Sequence, residues 1–139
     1  MAWDDLTLYV DDDVLAYEPN LAAGLSLDKH DLVKEHLASE LLLRFEHLQK
    51  DGEELYGDDY YLLDHIENPE ILRRPAVFYC LYLLFYAEQI GGENDIYARK
   101  AKEYFERYKM ALEYACRRIK FDSTVESFAS RWGSVRLAW

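Results

Sequence analysis

A run of apolar and aromatic side chains from Ala76 to Ala87 limits the folds open to this chain more than any other feature. No charged residue interrupts the run, so a helix formed here is apolar on every side and must be covered by other elements or by another copy. Glu88 and Gln89 end the run before it reaches the length that spans a bilayer. The run therefore predicts a central core helix or an oligomer face, in a chain whose 139 residues suffice for one compact core.

Apolar residues elsewhere recur at three- and four-residue spacing, and only three prolines and six glycines interrupt them. This period is typical of amphipathic helices. We therefore predict an all-α fold, a small helical bundle with two long helices, the central apolar helix and an extended C-terminal tail. The long helices are predicted over 28–50, ending at Gly52, and over 95–119, capped by Asn94 or Asp95.

Shorter elements are predicted around the first long helix. The three aspartates at 11–13 favour the start of a brief helix by capping it and interacting with its dipole, whereas a calcium loop would alternate its ligands with other residues. Asn68 and Pro69 predict another helix start, with a break or kink at Pro75. We place the helical domain at residues 1–121, and a polar linker with a C-terminal docking arm at 122–139.

The charge balance disfavours several partners. The chain has 27 acidic and 16 basic residues, a formal net charge of −11 and a pI near 4.7. Such a field repels phosphate, so groove-filling nucleic-acid binding and anchoring to an acidic membrane are disfavoured. Residues 1–68 hold 18 acids and 4 bases, whereas residues 69–139 hold 9 acids and 12 bases. If the halves form different faces, identical copies can pair acidic with basic faces and close a ring; if they mix in one bundle, the asymmetry cancels.

No motif in the sequence indicates catalysis, a metal or a cofactor. The four histidines lack the spacing of zinc-hydrolase and di-iron motifs, and Cys80 and Cys116 form no Cys-x-x-Cys pair, so we expect reduced core thiols. The glycines form no phosphate-binding loop. The start of the chain lacks a basic region followed by an apolar stretch, so we expect neither a signal peptide nor a membrane span.

The C-terminal tail is the best candidate for a functional site. It alternates apolar residues at Val135, Leu137 and Trp139, a pattern that can add a strand to a partner sheet or fill pockets. An alternative is that the tail folds back onto its own bundle.

The order of these elements resembles the small helical head-to-tail connector proteins, also called adaptor or neck proteins, of tailed bacteriophages. The resemblance rests on the aspartate-led N-terminal helix, the proline-opened apolar helix, the segment DIYARKAKEY at 95–104, and the closing residues SVRL at 134–137. It is best over residues 69–139.

The resemblance implies a homo-oligomeric ring of about twelve copies beneath the portal protein. Such a ring extends the DNA channel and presents a docking surface for a downstream neck or tail completion protein, and an acidic wall lets double-stranded DNA pass without specific binding. The portal-binding arm would comprise Arg131, Trp132, Val135, Arg136, Leu137 and Trp139. The expected location is the virion neck, after synthesis in the host cytoplasm, with no cofactor, no catalysis and no membrane partner.

Two other classes of function stay open. One is a free-standing helical module that binds a protein partner; the other is a small enzyme with an acidic cleft. A ring-sized oligomer favours the connector, a stable monomer favours the module, and turnover or a bound metal favours the enzyme.

Overall fold

The protein is all-α, as the spacing of its apolar residues predicts. The structure, a computed structural model, describes residues 2–22, 28–88 and 95–131. These ranges hold six α-helices: α1 Asp11–Leu15, α2 His30–Arg44, α3 Glu46–Tyr56, α4 Arg73–Glu88, α5 Ile96–Arg118 and α6 Ser123–Arg131. Four 3-10 helices lie at Trp3–Asp5, Pro19–Ala22, Leu62–His65 and Pro69–Leu72. The only β-type pairing in the described ranges is an isolated antiparallel bridge between Ile66 and Phe121.

The chain divides into two compact units. The hairpin unit comprises residues 7–37 and 70–118, and the short-helix unit comprises residues 1–6, 38–69 and 119–139. Among the described helices, none is long and apolar enough to cross a membrane.

Helices α4 and α5 form the centre of the hairpin unit. Aromatic pairs link them in opposite order along the two helices, since Tyr79 packs on Tyr108, Tyr82 on Phe105, and Phe85 on Tyr104. The two helices are therefore antiparallel. The predicted central core helix is confirmed as α4, whose buried residues are Pro75, Ala76, Val77, Phe78, Cys80, Leu81, Leu84 and Phe85.

Two predictions concern the starts of α4 and α5; the first was wrong and the second is confirmed. Pro75 neither breaks nor kinks a helix, because α4 begins only at Arg73 and the proline lies in the first turn, where its missing N–H needs no partner. Asp95 caps α5 as predicted: its Oδ1 accepts hydrogen bonds from the N–H groups of Tyr97 at 2.9 Å and Ala98 at 3.2 Å.

The first predicted long helix is two helices, separated at Phe45. Helix α2 ends at Arg44, and α3 runs on past the predicted stop at Gly52. Gly52 is buried inside α3, and a Cβ at this position would overlap the Tyr60 ring. The glycine therefore serves close packing against a ring and not helix termination.

The linker predicted from residue 122 was wrong for residues 123–131, which form α6. Asp122 starts this helix, since its Oδ1 accepts from the Thr124 N–H at 3.0 Å. Its other oxygen accepts from His65 Nδ1 at 2.8 Å, and Val125 is buried one turn further on. A polar run that looked like a linker is thus a capped helix that packs in the short-helix unit.

Candidate interaction surface

The portal-binding arm predicted from the sequence lies almost entirely outside the described residues. Arg131 is the last residue of α6. Trp132, Val135, Arg136, Leu137 and Trp139 fall beyond residue 131, so the docking arm stays a prediction.

An open groove lies on the surface of the hairpin unit. It encloses about 410 Å³ and is built by the chain after α1, the first half of α4 and the second half of α5. We call it the arginine groove; its lining residues are Tyr17, Arg74, Phe78, Arg107, Met110, Ala111 and Tyr114. Met110 is 74% exposed and Tyr114 is 57% exposed, although both are large apolar side chains. Contiguous exposed apolar surface of this kind is typical of a protein-binding site.

The floor of the arginine groove is fixed by packing within the unit. The Tyr17 ring contacts the buried Phe78 ring edge-on, with centroids 5.1 Å apart, and Phe78 also lies beside the Tyr104 ring. Ala111 is buried and its small side chain leaves the space between the helices open. The groove is therefore formed before any partner arrives.

Arginine side chains border this apolar surface. The Arg107 guanidinium lies over the Tyr104 ring, 5.4 Å from its centroid, and its Nη2 pairs with Glu103 at 2.6 Å. One turn beyond the groove, the Arg118 guanidinium lies 3.6 Å from the centroid of Tyr114. Arg74 is exposed on the α4 side. Such guanidinium groups can bind carboxylates bidentately while their flat faces cover aromatic rings.

A polar anchor fixes the segment after α1 to α5. Glu18 accepts hydrogen bonds from Lys100 Nζ at 3.0 Å and from the Tyr104 hydroxyl at 2.8 Å. Burial, and secondly the hydrogen bond to the Glu18 carboxylate, raise the pKa of Tyr104 well above its ordinary value, so it stays a neutral donor. Because Tyr17 precedes Glu18, this anchor also holds the Tyr17 wall of the groove.

The short-helix unit carries a surface of opposite charge at the end of α3. All seven residues from Glu53 to Asp59 are exposed, and we call this segment the acidic knob. Its charged residues are Glu53, Glu54, Asp58 and Asp59, and its apolar residues are Leu55, 46% exposed, and Tyr56, 49% exposed. The turn is closed by Gly57, which has a φ of 91° and donates its N–H to the Glu53 carbonyl at 2.9 Å.

A second, polar hollow of about 370 Å³ lies in the same unit, lined by Leu43, Arg44, Glu46, His47 and Lys50. Within the described residues, no group of three or more His, Cys, Asp or Glu side chains is placed to hold a metal ion.

Sequence reasoning missed both the arginine groove and the acidic knob. Met110 and Tyr114 lie on the exposed face of α5, at i and i+4. Arg107, Met110 and Tyr114 follow one another at three- and four-residue spacing, and this spacing could have indicated that they share one face of the helix. The sequence could not indicate that Tyr17 and Arg74 line the groove, because tertiary packing alone brings them to α5.

Comparison with models of protein families, with characterised proteins and with solved structures found no match for this chain.

Proposed function

We propose that this chain is a structural assembly protein, a head-to-tail connector of a tailed bacteriophage, which forms a ring under the portal protein. In this role it extends the DNA channel, offers a surface to the downstream neck or tail completion protein, resides in the virion neck, and catalyses no reaction. The arginine groove carries the proposal. Exposed methionine and tyrosine beside arginines are the residue types enriched in protein interfaces.

The α4–α5 hairpin supplies a suitable frame for such an interface. The segment 95–104, on which the resemblance to connectors rests, contributes most of the first half of α5 and includes the capping residue Asp95. The groove is lined by the other half of the same helix. A rigid antiparallel pair with a preformed groove loses little conformational entropy on binding.

The acidic balance of the chain supports the proposed relation to DNA. With a formal net charge of −11, a ring of these chains repels the phosphate backbone, so DNA passes along the channel without being held. The residues assigned to portal binding remain the C-terminal arm, from Arg131 to Trp139.

The mass of the purified protein tests this function. We expect light scattering at low and physiological salt to show a ring-sized species, or saturable capture by purified portal rings of tailed phages. Deletion of 132–139 is expected to abolish portal capture while leaving the melting temperature unchanged, because these residues follow α6, the last helix of the described ranges. A full-length protein that stays monomeric and ignores portal rings contradicts the connector and favours a free-standing helical module.

A further inference from the structure

We propose that the acidic knob of one copy docks in the arginine groove of the next copy, so that identical chains associate head to tail. This inference rests on the connector role proposed above and names the contact that closes its ring.

Charge complementarity is the first argument. Arg74 and Arg107 line the groove, where Arg107 also pairs with the exposed Glu103, and Arg118 lies one turn beyond it. Four carboxylates stand within the seven residues of the knob. Opposite charge on two exposed surfaces steers association and fixes the register of the contact.

The charge of the knob is not offset by basic residues in its own helix turn, although Glu53 accepts a hydrogen bond from the Gln49 amide at 2.9 Å. Glu53 and Glu54 lie in the last turn of α3, where the helix dipole disfavours carboxylates, and no basic residue lies in that turn. Lys50, the nearest base in the sequence, pairs with Glu46 at 3.6 Å. Guanidinium groups from a neighbouring copy would offset this unfavourable arrangement.

The apolar parts of the two surfaces match as well. Leu55 and Tyr56 project among the carboxylates of the knob, and Met110 and Tyr114 lie between the arginines of the groove. Covering both pairs removes exposed apolar surface from water, which favours association in proportion to the area covered.

The C-terminal arm is a poorer occupant for the same groove. Residues 132–139 include Arg136 and no acidic side chain, so the arm has no carboxylate side chain that could pair with the guanidinium groups of the groove. The knob and the groove are different surfaces, and their contact is heterologous; a heterologous contact repeated with a closing rotation gives a ring.

Charge reversal tests the contact. The groove variant combines Arg74→Glu with Arg107→Glu, and the knob variant combines Glu54→Lys, Asp58→Lys and Asp59→Lys. Each variant alone is expected to need at least about tenfold more protein for half-assembly in light scattering, since like charges then face each other. Circular dichroism melts establish that each variant is folded.

Mixing the two variants is the decisive measurement. The reversed groove of one variant faces the reversed knob of the other, so an equimolar mixture is expected to recover assembly with alternating copies. Matched controls reverse the same number of charges outside both surfaces, with Arg99→Glu and Lys102→Glu for the groove and Asp5→Lys, Glu67→Lys and Glu88→Lys for the knob. Equal loss of assembly in the controls, or no recovery in the mixture, overturns the contact.

A disulfide trap measures the contact independently of affinity, for the protein alone and bound to portal rings. Leu55→Cys with Met110→Cys, in a Cys116→Ser background, is expected to give a ladder of covalent multimers on oxidation. A control that carries Leu43→Cys instead of Leu55→Cys, together with Met110→Cys, is expected to give no ladder of multimers. A bond that closes within one chain, or the absence of a ladder, overturns the contact.

The two proposals fail in different ways. If portal rings capture the protein but the charge reversals do not change its self-association, the contact is contradicted and the connector role is not. Open head-to-tail chains, with neither a closed ring nor portal capture, support the contact and contradict the connector role.

Discussion

The hairpin unit and the short-helix unit both bury apolar side chains, but they differ in how their helices are joined. In the hairpin unit, two long helices bury apolar and aromatic side chains against each other, with Leu81 and Ala115 fully buried. In the short-helix unit, short elements are joined by side-chain hydrogen bonds. Asp64 accepts from the Trp3 N–H at 2.7 Å, and Gln49 Oε1 accepts from the Leu62 N–H at 2.7 Å.

This difference decides how each unit responds to substitution. Apolar packing is spread over many contacts, so its loss scales with the volume removed. A polar link is concentrated in one or two atoms, and removing one partner leaves the other buried and unsatisfied. Substitutions in each unit test this contrast.

Leu81→Ala in α4 is expected to lower the free energy of unfolding by about 3 kcal/mol, because the fully buried side chain leaves a cavity between packed helices. Chemical denaturation monitored by circular dichroism measures the loss. The matched control is Leu43→Ala, at a leucine 72% exposed in α2, with an expected change within about 0.5 kcal/mol. Similar losses at both positions would contradict the assignment of the core.

The same contrast explains how much of the structure was predictable. The hairpin unit follows from local signals, since the apolar run marks α4 and the spacing from Ile96 to Ala115 marks α5. The Phe45 ring packs on Phe121 and Gly52 lies against Tyr60, contacts that the local pattern does not show. Asp122, by contrast, caps α6 through Thr124, a local helix-start signal that was interpreted as a linker. The arginine groove was missed because Tyr17 and Arg74 reach it only through tertiary packing.

Gln49→Ala tests whether one polar side chain stabilises the short-helix unit. The Gln49 amide donates to the Tyr60 carbonyl at 3.1 Å and accepts from the Leu62 N–H, so its removal leaves two backbone groups without this partner. We expect a loss of about 2 kcal/mol in denaturant unfolding. Lys50→Ala on the same helix is the control, since it removes only an exposed pair and is expected to cost less than about 0.5 kcal/mol.

Gly52→Ala has two opposite effects on the short-helix unit, since it raises helix propensity and disturbs packing. Alanine favours a helix interior by about 1 kcal/mol over glycine, whereas overlap of its Cβ with the Tyr60 ring costs about 1 to 3 kcal/mol. We expect a net loss of about 1 kcal/mol. Combining the change with Tyr60→Leu is expected to cost less than the sum of the single changes, because both act on the same contact. Additive losses would show that Tyr60 is not the obstacle.

The smallest effect concerns Asp122, where the short-helix unit acquires a dependence on pH. Burial acts to raise the pKa of this carboxyl, but hydrogen bonding and charge interaction with His65, together with the N–H groups of Thr124 and Val125, outweigh burial and lower the pKa. A lowered folded-state pKa means that the carboxylate stabilises the fold above its ordinary pKa of 3.8, and that this stabilisation is lost as the pH falls through the folded value.

Asp122→Asn keeps a side-chain oxygen for the α6 cap and removes the charge, so it isolates this contribution. We expect the variant to be less stable than wild type by under about 1 kcal/mol at pH 6, since the His65 pair is partly exposed. The gap is expected to narrow as the pH falls below the ordinary aspartate pKa of 3.8, because the unfolded chain then binds a proton that the folded carboxylate does not, and to close as the pH falls through the lowered folded value. Unfolding free energies measured from pH 3 to pH 6 test this. A gap that persists unchanged to pH 3 would mean that Asp122 stabilises the unit through the geometry of its cap, and the polar links of this unit would then be as insensitive to pH as the apolar packing of the hairpin.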